Sequence, residues 1–338
     1  MNFHLEFFPK SFDTKIVHQD KLFLMGSCFT ENIGTKFKQH KFSVLENPNG
    51  ILFNPVSIAK SITSYIENKQ YIQADLFYQN ELWNSWEHHT RFSDVDMQVC
   101  LNRINESQQQ AHQFLKTADW VFITLGSAFV YEVGIGLGTN STNKNVVANS
   151  TVVANCHKVP TDKFNKKLLA VEDVLSVLDN VMHRIFMFNP TAKIIFTISP
   201  VRHLRDGFIE NNRSKAVLIQ AVHHLVNKFN KLFYFPAYEL VIDDLRDYRF
   251  YAEDMVHPNY AATNYVWDKL VECCIDENTI QLMKQINEIN AAVNHKSFNP
   301  TTEAHKKFIE ATLNKIKNIK NIATHISFRE EENYLNNQ

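Results

Sequence analysis

Two nucleophilic side chains, the hydroxyl of Ser27 and the thiol of Cys28, follow Gly26 directly in the sequence. An apolar run precedes them and a helical pattern follows, so the sequence predicts a strand-to-helix turn. A nucleophile on such a turn is exposed. The N–H groups and the positive dipole end of the helix lower the pKa of a thiol and stabilise an oxyanion. Either side chain has this chemistry; the structural alternative is a turn of small residues that only permits close packing.

A second group of residues, far along the chain, has the chemistry of a general base. Asp254 and His257 stand three residues apart in an Asp-x-x-His-Pro sequence, so both side chains can converge from one loop or helix start. A carboxylate then holds the imidazole in one tautomer while its other nitrogen serves a nucleophile. Pro258 and Asn259 suit the turn that opens a following helix. The alternative is a helix-capping aspartate with an incidental histidine.

Other polar clusters carry weaker signals. Residues 86–92 combine aromatic, histidine and arginine side chains that could line a pocket or hold a metal. Neighbouring histidines on a strand point in opposite directions, so we expect no metal site. Arg202 and His203 follow a strand end; they either contact a negative group of the substrate at the pocket rim or belong to a surface loop. Cys156 and His157 lie in a polar insertion, and we expect a structural or rim position for them.

The elements that would position these residues alternate along the chain. Buried-strand patterns cover residues 21–25, 118–125, 193–198 and 232–235. Helical patterns separate them, and this alternation predicts a parallel sheet covered by helices on both faces. Ligands of such sheets bind at the carboxyl ends of the strands, where Gly26, Gly126 and Ser199 fall.

Composition argues against several classes of function. The 338 residues are 44% hydrophobic, which suffices for one large domain or a domain with an appendage. Lys and Arg number 35 against 36 for Asp and Glu, so charge gives no support to nucleic-acid binding. The five cysteines include no Cys-x-x-Cys pair, which disfavours a zinc ribbon, and they are too few for a disulfide framework. Because no signal peptide and no apolar run near ~18 residues is evident, we expect a soluble cytoplasmic protein that contacts no membrane.

Two regions differ from the rest in composition. Residues 134–159 form a polar insertion, expected as a loop or small hairpin near the carboxyl edge of the sheet. From residue 278 onward the chain is rich in Lys, Glu and Asn, with an amphipathic helical pattern over residues 308–319. We expect a catalytic domain over residues 1–277 and a helical extension over residues 278–338, with a polar, frayed tail from residue 329.

In these features the chain resembles the GSCFA-domain family of the SGNH/GDSL hydrolase superfamily. The resemblance runs in order over most of the chain before the helical extension. Its matching blocks are residues 26–29, 47–55, 86–93, 124–128, 152–160, 199–204 and 244–259. The resemblance implies a three-layer α/β/α sandwich around a parallel sheet of about five strands.

The resemblance also implies catalytic roles. In the superfamily the first block reads Gly-Asp-Ser, with serine as the nucleophile. Aligned on the glycine, the nucleophile falls at Cys28, whereas the serine chemistry of the superfamily favours Ser27. The last block matches Asp254 and His257 without a gap. The usual oxyanion block, Gly-x-Asn-Asp, lacks its asparagine here. The donors that could replace it are the amides of Cys28, Gly50 and Gly126 and the side chains of Asn49 and Asn54.

We therefore expect a hydrolase or acyltransferase that attacks a small, acetyl-like acyl ester on a small molecule or a glycan. Cys28 or Ser27 attacks the acyl carbon, His257 acts as general base and then as general acid, and Asp254 orients His257. An acyl thioester also transfers readily to an alcohol or amine, so a thiol suits transfer as well as hydrolysis. No metal or cofactor is required, and no oligomeric state is predicted. The alternative is a binding or scaffolding protein that keeps the fold without the chemistry.

Overall fold

The computed structural model describes residues 5–134, 151–295 and 297–337. In chain order its strands are β1 (Lys21–Gly26), β2 (Ser43–Glu46), β3 (Phe77–Gln79), β4 (Leu82–Asn84), β5 (Trp120–Leu125), β6 (Phe129–Val133), β7 (Thr151–Val153), β8 (Phe164–Leu168), β9 (Lys193–Ile198) and β10 (Leu232–Tyr234). Its helices are α1 (Cys28–Gln39), α2 (Pro55–Glu67), α3 (Met97–Thr117), α4 (Val171–Phe188), α5 (Phe208–Lys228), α6 (Ala237–Glu239), α7 (Tyr260–Cys274), α8 (Glu277–Asn294), α9 (Glu303–Ile322) and α10 (Arg329–Asn336).

The central sheet has five parallel strands in the order β10-β9-β5-β1-β2. Its register pairs Gly26 with Thr124, and Thr124 with Thr197, so the carboxyl ends of β1, β5 and β9 lie side by side. The predicted α/β fold and its four predicted strands are confirmed. The sequence pattern does not reveal β2, because this strand is short and only partly buried at the margin of the sheet.

Strand side chains alternate between two cores. Phe23, Val121 and Ile194 form a row that packs with helices α2 to α5 on one face. Leu24 and Phe122 lie in the next row and pack with α1 and α7 on the other face. Because both faces are covered, the strands read as continuous apolar runs rather than as alternating ones. The result is the three-layer arrangement that the sequence predicts.

Two smaller antiparallel sheets lie beside the central one. One pairs β3 with β4, and the other has the order β7-β6-β8. The start of the predicted polar insertion, Gly134, directly follows β6, and its later part contains β7. Residues 135–150 of this insertion lie outside the described residues. A strand after residue 150 agrees with the expected hairpin.

The C-terminal helices α8, α9 and α10 share an apolar cluster of their own. The tail that was expected to fray from residue 329 is instead the helix α10, because Leu335 packs into this cluster and is only 2% exposed. The predicted boundary at residues 277 and 278 falls at the start of α8 and stays a prediction. Among the helices of the described ranges, none has the length and apolarity that crossing a membrane requires.

Candidate active site

The turn between β1 and α1 is fastened to its neighbours by backbone hydrogen bonds. Gly26 has a φ of +140°, and a Cβ at this position would lie 2.1 Å from the carbonyl oxygen of Thr124. The Gly26 amide donates to Oδ1 of Asn47 at 2.8 Å, and the Ser27 amide donates to the carbonyl oxygen of Thr124 at 3.2 Å. Glycine alone combines this conformation with such a close approach. The turn is therefore held against the carboxyl ends of β5 and β2.

The two candidate nucleophiles of this turn lie in different environments. Ser27 is the N-cap of α1: it is fully buried, and its Oγ accepts a hydrogen bond from the Phe29 amide at 3.3 Å. Cys28 is the first residue of the helix and is partly exposed. Burial raises the pKa of the Cys28 thiol, whereas hydrogen bonds from the amides of Phe29 and Cys28 lower it. Of the two side chains, only that of Cys28 is accessible.

The Asp254–His257 pair forms within one tight loop ahead of α7. Nδ1 of His257 lies 2.6 Å from Oδ2 of Asp254, and Oδ1 accepts the amides of His257 and Val256 at 3.0 and 2.9 Å. These hydrogen bonds lower the pKa of Asp254 to about 2, so the carboxylate is charged and favours a proton on Nδ1. Both side chains are half exposed. Among the described residues, Nε2 of His257 has no hydrogen-bond partner, and Asn259 caps α7 as predicted.

This loop lies against the segment that follows β9. The Arg202 amide donates to the Val256 carbonyl at 3.1 Å. The Arg202 guanidinium lies 4.0 Å from the ring centre of Tyr251 and 5.1 Å from that of Tyr248. His203, the next residue, is close enough to His257 for their charges to interact. Arg202 and His203 therefore connect the Asp254–His257 loop to the edge of the sheet.

His203 lies over the end of β5. Its Nε2 would be 3.3 Å from a Cβ at Gly126, and its amide donates to Oδ1 of Asn211 at 2.9 Å. The Phe53 ring packs edge-on against the imidazole, with 5.3 Å between ring centres. Nε2 is buried and has no hydrogen-bond partner. Burial, with a smaller contribution from the charge of Lys215, lowers the pKa of His203 to about 4, so the ring is neutral near pH 7.

Lys215 is the site residue that the sequence analysis did not identify. Its side chain is 1% exposed, and Nζ donates to the carbonyl oxygens of Gly126 at 2.6 Å and Ser199 at 2.7 Å. Burial lowers the pKa of Lys215 to about 7, and the charged form of its side chain acts on the Cys28 thiol and on His203. The signal was available: Lys215 precedes the apolar position Leu218 by three residues, so helical periodicity places it on the buried face of α5.

The predicted oxyanion donors differ in what they already bond. The Gly50 amide donates to the Asn47 carbonyl at 2.7 Å, and the Gly126 amide donates to the Phe53 carbonyl at 2.8 Å. The Cys28 amide bonds no carbonyl in the described chain, as expected for the first N–H of a helix. Of these three amides, that of Cys28 is therefore the one that can receive an oxyanion without giving up a bond to a carbonyl.

The two candidate asparagines make internal hydrogen bonds. Asn49 is 1% exposed, and its Nδ2 donates to Oγ of Ser61 at 3.0 Å. Asn54 is the N-cap of α2, where Oδ1 accepts the Ser57 amide at 2.8 Å and Nδ2 donates to Oγ of Ser57 at 3.0 Å. Both side chains hold the chain around the site. A role for either in binding an oxyanion stays a prediction.

A cavity of about 250 Å³ opens beside Gly126 and His203. Its lining residues are Phe53, Asn54, Ser127, Phe129, Tyr131, Val153, Ala154, Asn155, Cys156, His203, Arg205 and Asp206. The predicted rim position of Cys156 agrees with its place in this lining. The neighbouring His157 is buried instead, and its Nε2 donates to the Ser85 carbonyl at 2.8 Å.

The histidines of residues 86–92 have separate roles. His88 is 1% exposed, its Nδ1 lies 2.9 Å from Oγ of Ser85, and burial lowers its pKa to about 3. His89 caps a short 3-10 helix through the Arg91 amide, and Arg91 forms an ion pair with Glu31 of α1. In the described ranges, no three metal-ligating side chains come together. The ion pair ties this block to α1, the helix that follows the nucleophile turn.

The family profile described as "GSCFA family" matches residues 21–270, and the profile described as "GSCFA domain protein, C-terminal domain" matches residues 286–338. No protein of curated function matches the sequence.

Solved structures to which the chain is similar include three esterases. One is a carbohydrate esterase family 3 protein from Talaromyces cellulolyticus, with 9% identity over 79% of this chain and 99% of the other, and a TM-score of 0.37. Another is the Clostridium thermocellum family 3 carbohydrate esterase, with 12% identity over 79% and 98% of the two chains, and a TM-score of 0.34. The third is the acetyl xylan esterase Est2A from Butyrivibrio proteoclasticus, with 10% identity over 76% and 64%, and a TM-score of 0.35. Similarities this low carry no assignment of function.

Proposed function

The chain belongs to the GSCFA family, and from this premise we propose that it is an ester hydrolase with Cys28 as nucleophile, His257 as general base and Asp254 as the carboxylate that orients His257. The observation that carries the proposal is the Asp254–His257 pair. Oδ2 lies 2.6 Å from Nδ1, and Nε2 is left without a partner among the described residues. A ring held in this tautomer is ready to accept a proton at Nε2.

The choice of Cys28 over Ser27 rests on the environments of the two side chains. The Ser27 hydroxyl is fully buried and caps α1, so using it as a nucleophile would break the cap. The Cys28 thiol is partly exposed at the positive end of the helix dipole. Its pKa is raised by burial, so the group is a thiol near neutral pH and requires a base.

The reaction then follows two steps. The Cys28 sulfur forms a bond to the acyl carbon while Nε2 of His257 takes the thiol proton. The Cys28 amide receives the oxyanion. When the tetrahedral intermediate collapses, the bond to the alcohol breaks and His257 returns the proton to the leaving oxygen. A water molecule, activated by the same histidine, next attacks the thioester and releases the acid and the free thiol.

The substrate is proposed to be a small, acetyl-like ester on a small molecule or a glycan. The cavity beside Gly126 and His203 has about 250 Å³, which suits a small group rather than a long acyl chain. Cys28 and His257 are not among its lining residues, so the proposal has the acyl group extend into it from the adjacent sheet edge. Acyl transfer is the variant of this function in which an alcohol or amine, instead of water, attacks the thioester. Both outcomes use the same first step.

The second candidate function is a binding or scaffolding protein that keeps the fold without the chemistry. One observation favours it: the site has few free oxyanion donors. The Gly50 and Gly126 amides both bond internal carbonyls, and position 128, where the superfamily has an asparagine, is an alanine. A hydrolase with one oxyanion donor instead of two loses about 10²–10³ in rate. Measurable turnover separates the two candidates.

The test is hydrolysis of 4-nitrophenyl acetate together with mass spectrometry of the intact, acid-quenched protein. We expect the wild type to accumulate one acetyl group, and peptide mapping to place it on Cys28. Cys28→Ala should abolish labelling, Ser27→Ala should retain it, and His257→Ala should slow it about 10²-fold or more. If the enzyme also transfers the acetyl group to an alcohol, adding a high concentration of glycerol should yield glyceryl acetate.

The matched control is Cys156→Ala, because Cys156 is the other partly exposed cysteine of the described chain. Because Cys156 lines the cavity, this variant controls for the labelled position and not for the rate: it should still carry the acetyl group on Cys28. Undiminished turnover in His257→Ala, or an acetyl group mapped to Ser27, would show that the proposed mechanism is wrong. A wild type with neither turnover nor label would favour the binding protein.

A further inference from the structure

The charged side chains around the small cavity beside Gly126 do not balance. Its lining contains one arginine and one aspartate, Arg205 and Asp206. Asp206 forms an ion pair with Lys166 of β8, so its negative charge is already compensated. Burial lowers the pKa of His203, which also lines the cavity, to about 4, so this ring adds no charge near pH 7. Within the described chain, the positive charge of Arg205 is therefore the one that the lining leaves uncompensated.

No carboxylate of the described residues forms an ion pair with Arg205. Asp206, the nearest acidic residue in the sequence, pairs with Lys166. Glu210, the next acidic residue along the chain, pairs with Arg213. The sequence outside the described ranges contains no aspartate or glutamate, so no acidic side chain for Arg205 can come from there. Arg205 is thus a cation without a protein carboxylate.

The free polar groups of this wall are hydrogen-bond donors. Oδ1 of Asn155 accepts the His157 amide at 2.8 Å, and its Nδ2 bonds nothing in the described chain. Arg205 adds the five N–H groups of a guanidinium. The carboxylate of the lining, that of Asp206, is already paired. Free donors beside an uncompensated positive charge fit a ligand group that is an anionic acceptor.

The cavity adjoins the nucleophile turn. Gly126, beside which it opens, stands two residues and at most roughly 7 Å beyond Thr124. Thr124 is the register partner of Gly26, the glycine of the turn. Much of the remaining wall is aromatic and suits methylene groups; its rings are those of Phe53, Phe129 and Tyr131. A short acyl chain that enters from the turn can therefore contact these rings and end at Arg205.

We infer that Arg205 makes the site selective for esters whose acyl group ends in a carboxylate and is of malonyl or succinyl size. The inference rests on the proposed function, because it takes the acyl group as the part of the ester that enters this cavity. The guanidinium and the carboxylate form a charge-assisted pair with two parallel hydrogen bonds. Arg205 determines which ester binds, and it takes no part in making or breaking bonds at Cys28.

The test compares two esters of nearly equal shape. Monomethyl succinate ends in a carboxylate, whereas methyl levulinate ends in a neutral acetyl group. Their dissociation constants are measured by ligand-observed NMR titration of full-length Cys28→Ala, which lacks the proposed nucleophile. We expect monomethyl succinate to bind about tenfold more tightly, as one hydrogen-bonded charge pair provides. This preference should shrink at about 0.5 M NaCl, because salt screens the attraction.

Substitutions in the same Cys28→Ala protein assign the preference to one side chain. Arg205→Met should abolish it by weakening the binding of monomethyl succinate alone, and Arg205→Lys should keep part of it. Arg205 is exposed, so its replacement should leave the fold intact, which circular dichroism checks. Arg213→Met is the matched control: Arg213 is also exposed, but it pairs with Glu210 and does not line the cavity. It should keep the full preference.

Equal dissociation constants for the two esters, or a preference that survives in Arg205→Met, would overturn the inference. Turnover of 4-nitrophenyl acetate by the wild type tests the proposed function separately. If the wild type hydrolyses no ester but Arg205→Met removes a preference for monomethyl succinate, the role of Arg205 is supported while the proposed function fails. An active wild type whose Cys28→Ala protein binds both esters equally would show the reverse.

Discussion

Oδ2 of Asp254 lies 2.6 Å from Nδ1 of His257, and the other oxygen of the same carboxylate accepts the His257 amide at 3.0 Å. One side chain therefore controls both the backbone position of the histidine and the tautomer of its ring. The pair lies within a single loop, so its geometry is local and does not depend on distant packing. Its attachment to the rest of the site depends on the Arg202 amide, which donates to the Val256 carbonyl.

Replacing Asp254 with asparagine should reduce ester turnover strongly. The amide keeps the size of the side chain but no longer favours a proton on Nδ1, so Nε2 is a poorer base. We expect kcat/KM for 4-nitrophenyl acetate to fall about 10²-fold or more. The control is Asp247→Asn: like Asp254, Asp247 accepts a nearby backbone amide, but its side-chain partner is Arg249. Equal activities of the two variants would argue against a role for Asp254 in orienting His257.

Replacing Ser27 with alanine should affect stability rather than chemistry. The Ser27 hydroxyl caps α1, and losing such a cap lowers the free energy of unfolding by about 1 kcal/mol. Urea unfolding should show this loss, while kcat/KM falls far less than in Cys28→Ala. Thr302→Ala removes the N-cap of α9, away from the central sheet, and should have a similar cost in stability. Loss of activity in Ser27→Ala comparable to that in Cys28→Ala would assign the nucleophile to Ser27.

Replacing Gly26 with alanine should unfold the turn. The φ of +140° is strained for alanine, and its Cβ would overlap the Thr124 carbonyl at 2.1 Å. We expect a loss of at least about 3 kcal/mol in the free energy of unfolding, because both the conformation and the strand contact are disturbed. Thermal unfolding measures it. Gly134→Ala is the matched control, since no atom of the described residues lies within 4 Å of a Cβ there. Similar melting temperatures for the two variants would contradict the tight approach of β1 and β5.

The buried His157 should make stability depend on pH. Burial lowers its pKa from 6.5 to about 4, so the folded state holds the ring neutral where the unfolded chain takes up a proton. Stability should therefore fall as the pH drops from about 6.5 to about 4, by up to about 3 kcal/mol from this residue. In His157→Gln the fall in urea-unfolding free energy over this range should be smaller. The exposed His224, replaced in the same way, should leave the wild-type slope unchanged.

Much of the architecture follows from local patterns. The apolar runs before Gly26, Gly126 and Ser199 predict buried parallel strands, and the structure places all three residues at one sheet edge. The Asp-x-x-His spacing predicts a converging pair, because both side chains come from one loop. The sequence does not predict β2, because a short strand at a sheet margin is only partly buried and carries no continuous apolar run.

The sequence by itself determined the strand-to-helix turn, the Asp254–His257 pair and four of the five central strands, since each depends on residues close together in the chain. Tertiary structure alone decided which side chain of the turn is accessible. It buried Ser27 as a helix cap and left the thiol of Cys28 partly exposed. It also brought Lys215 beneath the ends of β5 and β9. The physical reason is that accessibility and the field of a buried charge depend on groups far apart in sequence, which meet only when the sheet and its helices pack.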